Sequence, residues 1–315
     1  MDIASGLLSG DVRSLARAIR LVEDRDPGAE DVLRAVRGRA GAAHVVGITG
    51  PPGSGKSTVC DQLIVRWRAA GHRVGVIAVD PSSPFSGGAI LGDRVRMQRH
   101  TGDDGVYIRS MAARGHLGGL ASAAREAVRL IDASGRDRCL LETVGVGQSE
   151  LEVMQTADTT VVVTTPVTGD SVQILKAGIL EIADVFVVNK ADIEGAAKVT
   201  RELRDLTRQA TANRDAWRPP VIQTTGTTGE GVDELLEAIE RHHAVIAGSG
   251  ELETRRRGRL RAEIEAIVVE RAAERARREL EDGTMGSELG GDLRGVDPYE
   301  FADRILNGHT STQHS

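Results

Sequence analysis

The 315-residue chain predicts an α/β fold, a mostly parallel sheet flanked by helices. Three observations carry that expectation. Short, near-continuous Val/Ile/Leu runs suit strands buried on both faces, as a parallel sheet requires. Longer stretches with apolar residues at helical spacing separate those runs. A glycine-rich turn, Gly50-Pro51-Pro52-Gly53-Ser54-Gly55-Lys56-Ser57-Thr58, joins the first run to the helical stretch after it. Such alternation implies right-handed crossovers, with ligands at the carboxyl ends of the strands.

Residues 1–40 read as a helical segment. Leu15, Ile19 and Val22, then Val32, Leu33 and Val36, recur at helical spacing, with a break at Asp24-Arg25-Asp26-Pro27-Gly28. Residues 41–248 form the expected α/β domain, with strands at 44–49, 74–79, 138–142, 160–164, 185–188 and 221–224. Helices are expected over 57–70, 117–133, 194–213 and 231–247. Residues 249–315 read as a helical C-terminal segment. In it Leu260, Ile264, Ile267, Val268 and Ala272 make one stripe along the charged stretch Glu253–Glu281. A stripe says only that one face is covered, by its own domain or by a second copy.

Composition removes several classes. Lys and Arg number 40 against 46 Asp and Glu, a formal charge of −6, and the aromatics are three Phe, two Trp and two Tyr. Neither nucleic acid nor an anionic membrane is therefore an expected partner. Cys60 and Cys139 make no disulfide framework and no C-x-x-C motif. With no long apolar run and no signal-like start, a soluble cytoplasmic protein is expected. His100 and His116 read as surface residues.

The chemistry lies in three segments. Gly50–Ser57 satisfies G-x-x-x-x-G-K-[ST] between a strand and a helix, the setting of a P-loop. Glycines let successive N–H groups turn toward phosphate oxygens, and the helix N-terminus adds its dipole. Lys56 is expected on the β- and γ-phosphates and Ser57 on Mg²⁺. Asn189-Lys190-Ala191-Asp192 follows a buried strand. There the Asp192 carboxylate can accept from guanine N1–H and N2–H₂, Asn189 braces the loop and the Lys190 stem covers the base. The later Thr224-Thr225-Gly226 turn offers a backbone N–H to guanine O6, so GTP and GDP are favoured over adenine nucleotides. Asp80 and Glu142 end strands and are expected at the metal, with the Gly145 amide at the γ-phosphate. Val146 stands where Ras-type enzymes keep a water-orienting Gln, and Gln148 lies two further on, so slow intrinsic hydrolysis is expected.

Together, Gly50–Thr58, Ala78–Pro84, Ser86–Arg94, Glu142–Glu150, Lys176-Ala177-Gly178-Ile179 and Asn189–Asp192 resemble the MeaB/ArgK P-loop GTPases. The likeness extends from Gly10-Asp11 to Asp297-Pro298-Tyr299. It implies a P-loop NTPase fold of the SIMIBI type. It also implies that the GTPase acts as a chaperone for an adenosylcobalamin-dependent acyl-CoA mutase, chiefly methylmalonyl-CoA mutase, gating cofactor loading and protecting the mutase from inactivation. On that resemblance Asp93 joins Asp80 and Glu142 in the metal and switch apparatus, Lys176 falls in a further switch, and the C-terminal helices form a homodimer arm. Arg94 stands where Lys is commoner, and Thr225-Gly226 where Ser-Ala is. A metal-insertion GTPase, an amino-acid-transport kinase or ATPase, and a catalytically idle scaffold remain the rival readings.

Overall fold

In a computed structural model of the chain, residues 2–80, 98–100, 102–112, 119–143, 145, 148–166, 182–210, 217–281 and 296–307 are described. Among them are seven strands: β1 (His44–Thr49), β2 (Val74–Asp80), β3 (Val106–Ala112), β4 (Arg138–Thr143), β5 (Thr159–Thr164), β6 (Val185–Asn189) and β7 (Val221–Thr224). They form one sheet in the order β3-β2-β4-β1-β5-β6-β7, and every pairing is parallel. The expected α/β fold with a parallel sheet is what forms.

Six of the strands coincide with the apolar runs. The seventh, β3, is not anticipated by the sequence reading. Its residues Val106-Tyr107-Ile108-Arg109-Ser110-Met111-Ala112 mix polar with apolar side chains, and four of them, Val106 and Ile108 to Ser110, are only partly buried. Arg109 there pairs with Glu23 of the N-terminal helices, so a charge inside the strand is satisfied from outside the sheet.

Successive side chains of the central strands alternate between the two faces. Val161, Val163, Val185 and Val187 pack with Leu63, Ile64 and Trp67 of α4 (Lys56–Ala69) and with Leu235 and Ile239 of α8 (Val232–Ser249). Val162, Phe186 and Val188 pack with Val199 and Leu203 of α7 (Ala196–Ala210). The expected helices at the N-terminus appear as α1 (Ile3–Leu8), α2 (Val12–Glu23) and α3 (Gly28–Val36). Leu15, Ile19 and Val22 share a core with Ile77 and Leu141 of the sheet and with Leu130 and Ile131 of α5 (Gly119–Ala133). A short helix, α6 (Gln148–Met154), lies between β4 and β5.

The chain divides into two compact units, residues 1–255 and 256–315. The second contains most of α9 (Glu251–Glu281) and α10 (Pro298–Asn307). Within it Ala272, Ala276, Leu280, Phe301 and Ile305 line an apolar cavity of 520 Å³. On the α9 stripe Leu260 is 50%, Ile264 54% and Val268 60% exposed.

Candidate functional site

Parallel packing puts the carboxyl ends of β1, β4, β6 and β7 at one end of the sheet, and Lys56, Ser57, Glu142, Asn189 and the Thr224–Gly226 turn lie there. The Gly50–Gly55 turn leaves β1 and enters α4. Gly50 has φ +146°, and a Cβ on it would lie 2.0 Å from the Val163 carbonyl oxygen, so no other residue fits. Gly53 and Gly55 also have positive φ, 76° and 88°. Gly55 starts α4 in a left-handed conformation with no side-chain cap, so the N-terminus of the helix opens directly onto the turn.

Lys56 and Ser57 are both buried. The Lys56 ammonium folds over the turn and donates to the carbonyls of Gly50 (2.8 Å) and Pro51 (3.1 Å). The Ser57 hydroxyl donates to Glu142 Oε1 at 2.6 Å. Glu142 arrives because β4 pairs with β1 in a register that sets Ile48 opposite Glu142. The Ser57 hydroxyl and Glu142 carboxylate therefore already lie together at the end of the turn. They are two hard oxygen donors of the kind that hold Mg²⁺.

Asn189 ties the turn to the loops after β6 and β7. Its Nδ2 donates to the Ser54 carbonyl at 2.8 Å. Its Oδ1 accepts from the Thr224 hydroxyl (3.1 Å) and the Gly226 N–H (3.0 Å). The amide of Gly226, at the turn expected to meet guanine O6, is thus engaged by Asn189 here. A Cβ on Gly226 would sit 3.2 Å from Thr58, so this loop lies directly over the start of α4. Thr225 is buried and its N–H bonds Glu230, which closes the turn. Lys190 adopts a left-handed φ of 59°, a sharp bend that turns the chain out of β6. Asp192 beyond it is exposed.

Other residues carry signals that spacing does not reveal. The Thr49 hydroxyl donates to the Gly145 carbonyl at 3.0 Å, and Thr143 Oγ1 lies 3.1 Å from the same oxygen and 3.0 Å from Thr49 Oγ1. Cys60, buried on α4, has its thiol pushed well above its usual range by burial and by the nearby Glu142 carboxylate. His100, expected at the surface, is buried, with Nε2 2.7 Å from Asp61 Oδ1 of α4. Arg99 also pairs with Asp61, so a carboxylate on α4 explains why this histidine is covered. Asp80 ends β2 in register with Ala112. Asp93, Lys176 and His116 lie outside the described residues.

The model of the methylmalonyl-CoA mutase-associated GTPase MeaB matches residues 15–281. This chain belongs to the MeaB family. It is 49% identical to a putative GTPase of Pyrococcus horikoshii over 97% of its own length and 96% of that protein's. It is 36% identical to the mitochondrial methylmalonic aciduria type A homolog of Mus musculus, over 80% of this chain and 65% of the mouse protein. The crystal structure of an LAO/AO transport system kinase superposes with a TM-score of 0.70 at 26% identity, covering 97% of this chain and 95% of that one. As a member of the MeaB family the chain is a P-loop GTPase that binds guanine nucleotide. No helix among the described residues is long and apolar enough to cross a membrane.

Proposed function

We propose that this GTPase is a Mg²⁺-dependent chaperone of an adenosylcobalamin-dependent acyl-CoA mutase, most simply methylmalonyl-CoA mutase. The observation that carries the site reading is Asn189. One side chain joins the phosphate-turn carbonyl of Ser54 to Thr224 and Gly226 of the expected base loop. A nucleotide must then be read at both ends by one connected frame.

In this reading the amides from Gly53 to Thr58, with Gly50, Pro51 and Pro52 shaping the turn, surround the phosphates. Lys56 leaves the Gly50 and Pro51 carbonyls for phosphate oxygens of higher charge. Ser57 and Glu142 would hold the metal, with Asp80 and Asp93 as further carboxylates for it, and Mg²⁺ would supply neutralisation of the phosphate charge. Asp192 accepts from guanine, Lys190 covers the ring, and the Gly226 N–H is shared between Asn189 and guanine O6. Water attacks the γ-phosphorus, the bond to the β-phosphate oxygen breaks, and GDP and phosphate leave. Gly145 and Lys176 respond to the γ-phosphate, and the change in their loops alters affinity for the mutase. The family's own description and the name of the mouse relative support the mutase as partner.

Isothermal calorimetry with GTP, GDP and ATP, then phosphate release with and without saturating methylmalonyl-CoA mutase, tests this. GTP is expected to bind at least tenfold more tightly than ATP, and turnover to rise with the mutase. Equal ATP affinity would remove the guanine reading, and an unchanged rate would remove the mutase as the activating partner.

A further inference from the structure

We propose that Thr49 and Thr143 are positioning residues that set GTP apart from GDP by holding Gly145 in place through its carbonyl. The proposal deepens the reading of Gly145 as a γ-phosphate contact and rests on it.

The two threonines end neighbouring strands. Ile48 is the register partner of Glu142, so the next residues, Thr49 and Thr143, stand side by side at the carboxyl ends of β1 and β4. Both are fully buried. Their hydroxyls lie 3.0 Å apart and converge on one acceptor, the Gly145 carbonyl, at 3.0 and 3.1 Å. Each hydroxyl carries one proton. Either both donate to Gly145, or one donates to the other, which in turn donates to Gly145. In every case the carbonyl of Gly145 is held by a side chain at the end of the sheet.

The location gives this clasp its consequence. Thr49 immediately precedes Gly50, the first residue of the phosphate turn, and Thr143 immediately follows Glu142 beside Ser57. Anchoring the Gly145 carbonyl to these two side chains fixes the position of the Gly145 α-carbon beside the entrance of the turn, and through it steadies the Gly145 N–H on the other side of that carbon. Preorganised amides reach a developing or resident anion without the cost of reordering the loop. GDP brings no γ-phosphate to that amide, so the clasp acts on GTP alone. Valine has the shape of threonine without the hydroxyl. It would leave the half-buried Gly145 carbonyl without these donors and free to swing away.

The test uses the full chain and two fluorescent probes, mant-GDP and the non-hydrolysable mant-GppNHp. Thr49→Val/Thr143→Val is expected to weaken mant-GppNHp about tenfold and to leave mant-GDP within about twofold. Thr49→Ser/Thr143→Ser keeps both hydroxyls and should stay near the unsubstituted protein. Each single valine variant should show a smaller loss of the same selectivity, which also serves if the double variant does not fold. An equal loss for both probes would mean a purely structural role and would overturn the proposal, as would no loss, or tighter mant-GppNHp binding. Failure of the guanine reading shows separately, as an unsubstituted protein that binds ATP as well as GTP.

Discussion

A carboxylate at position 192 can distinguish guanine from every base that lacks two adjacent donors. Asp192 is exposed just past the bend at Lys190, free to meet a ring laid against the loop. Replacing it by Asn presents an amide donor where the guanine 2-amino group would donate, whereas xanthine offers an oxygen there. Asp192→Asn is expected to weaken GTP by about 3 kcal/mol, more than a hundredfold, and to improve binding of xanthosine triphosphate. Competition between the two nucleotides measured by calorimetry checks it. A variant whose preference does not move toward the xanthine nucleotide would show that this side chain does not read the base. At this scale the sequence carries much of the site. The N-K-x-D pattern makes Asn189 a brace, and its three hydrogen bonds are what a brace must make. Thr49 and Thr143 are not legible, because their meeting depends on strand register, and a threonine ending a buried strand looks like any other.

Elements are legible where burial on both faces forces continuous apolar runs, which is why β1, β2 and β4 through β7 stand out. β3 is only partly buried, at Val106, Ile108, Arg109 and Ser110, and carries a charge within it, so its pattern gives no such signal. Also hidden is a polar cluster at the opposite end of the sheet from the phosphate turn. His44, the first residue of β1, is buried with Nε2 2.9 Å from the Thr159 hydroxyl, which is itself 2.9 Å from His242 Nδ1 of α8. The His44 ring stacks on His243 at 3.9 Å, and Asp158 and Arg138 also face it. Burial first, then the neighbouring His243, push the His44 pKa down from 6.5 to about 2. The folded chain therefore binds this proton far less readily than the unfolded chain. Stability is complete above pH 6.5 and declines as pH falls below it, by about 1.4 kcal/mol per pH unit for this one group. Melting curves from pH 7.5 to 5.5 should show a steeper fall for the unsubstituted protein than for His44→Gln. Parallel curves would mean that His44 does not drive the acid sensitivity.

The whole molecule poses the question of what covers α9. Leu260, Ile264, Ile267 and Val268 stand at i, i+4, i+7 and i+8, one face of the helix, and all four are at least 37% exposed in the single chain. Burying each such side chain is worth about 1.5–3 kcal/mol, so a face of this kind is stable in water only when something lies on it. A second copy of the chain is the simplest occupant, because an isologous contact brings the same stripe twice and needs no other component. The rest of α9 is strongly charged, which suits a helix with one covered face and one wet face. Sedimentation equilibrium of the full chain is expected to give a dimer. Ile264→Glu/Val268→Glu, which places two carboxylates in the stripe, is expected to give a monomer that still binds GTP, since the phosphate turn and Asn189 lie in the other compact unit. A monomer from the unsubstituted chain at tens of micromolar would overturn the dimer reading. An unchanged dimer from the double variant would place the contact elsewhere and leave the stripe for the mutase. GTP binding that vanished together with the dimer would mean that the nucleotide site depends on the second copy.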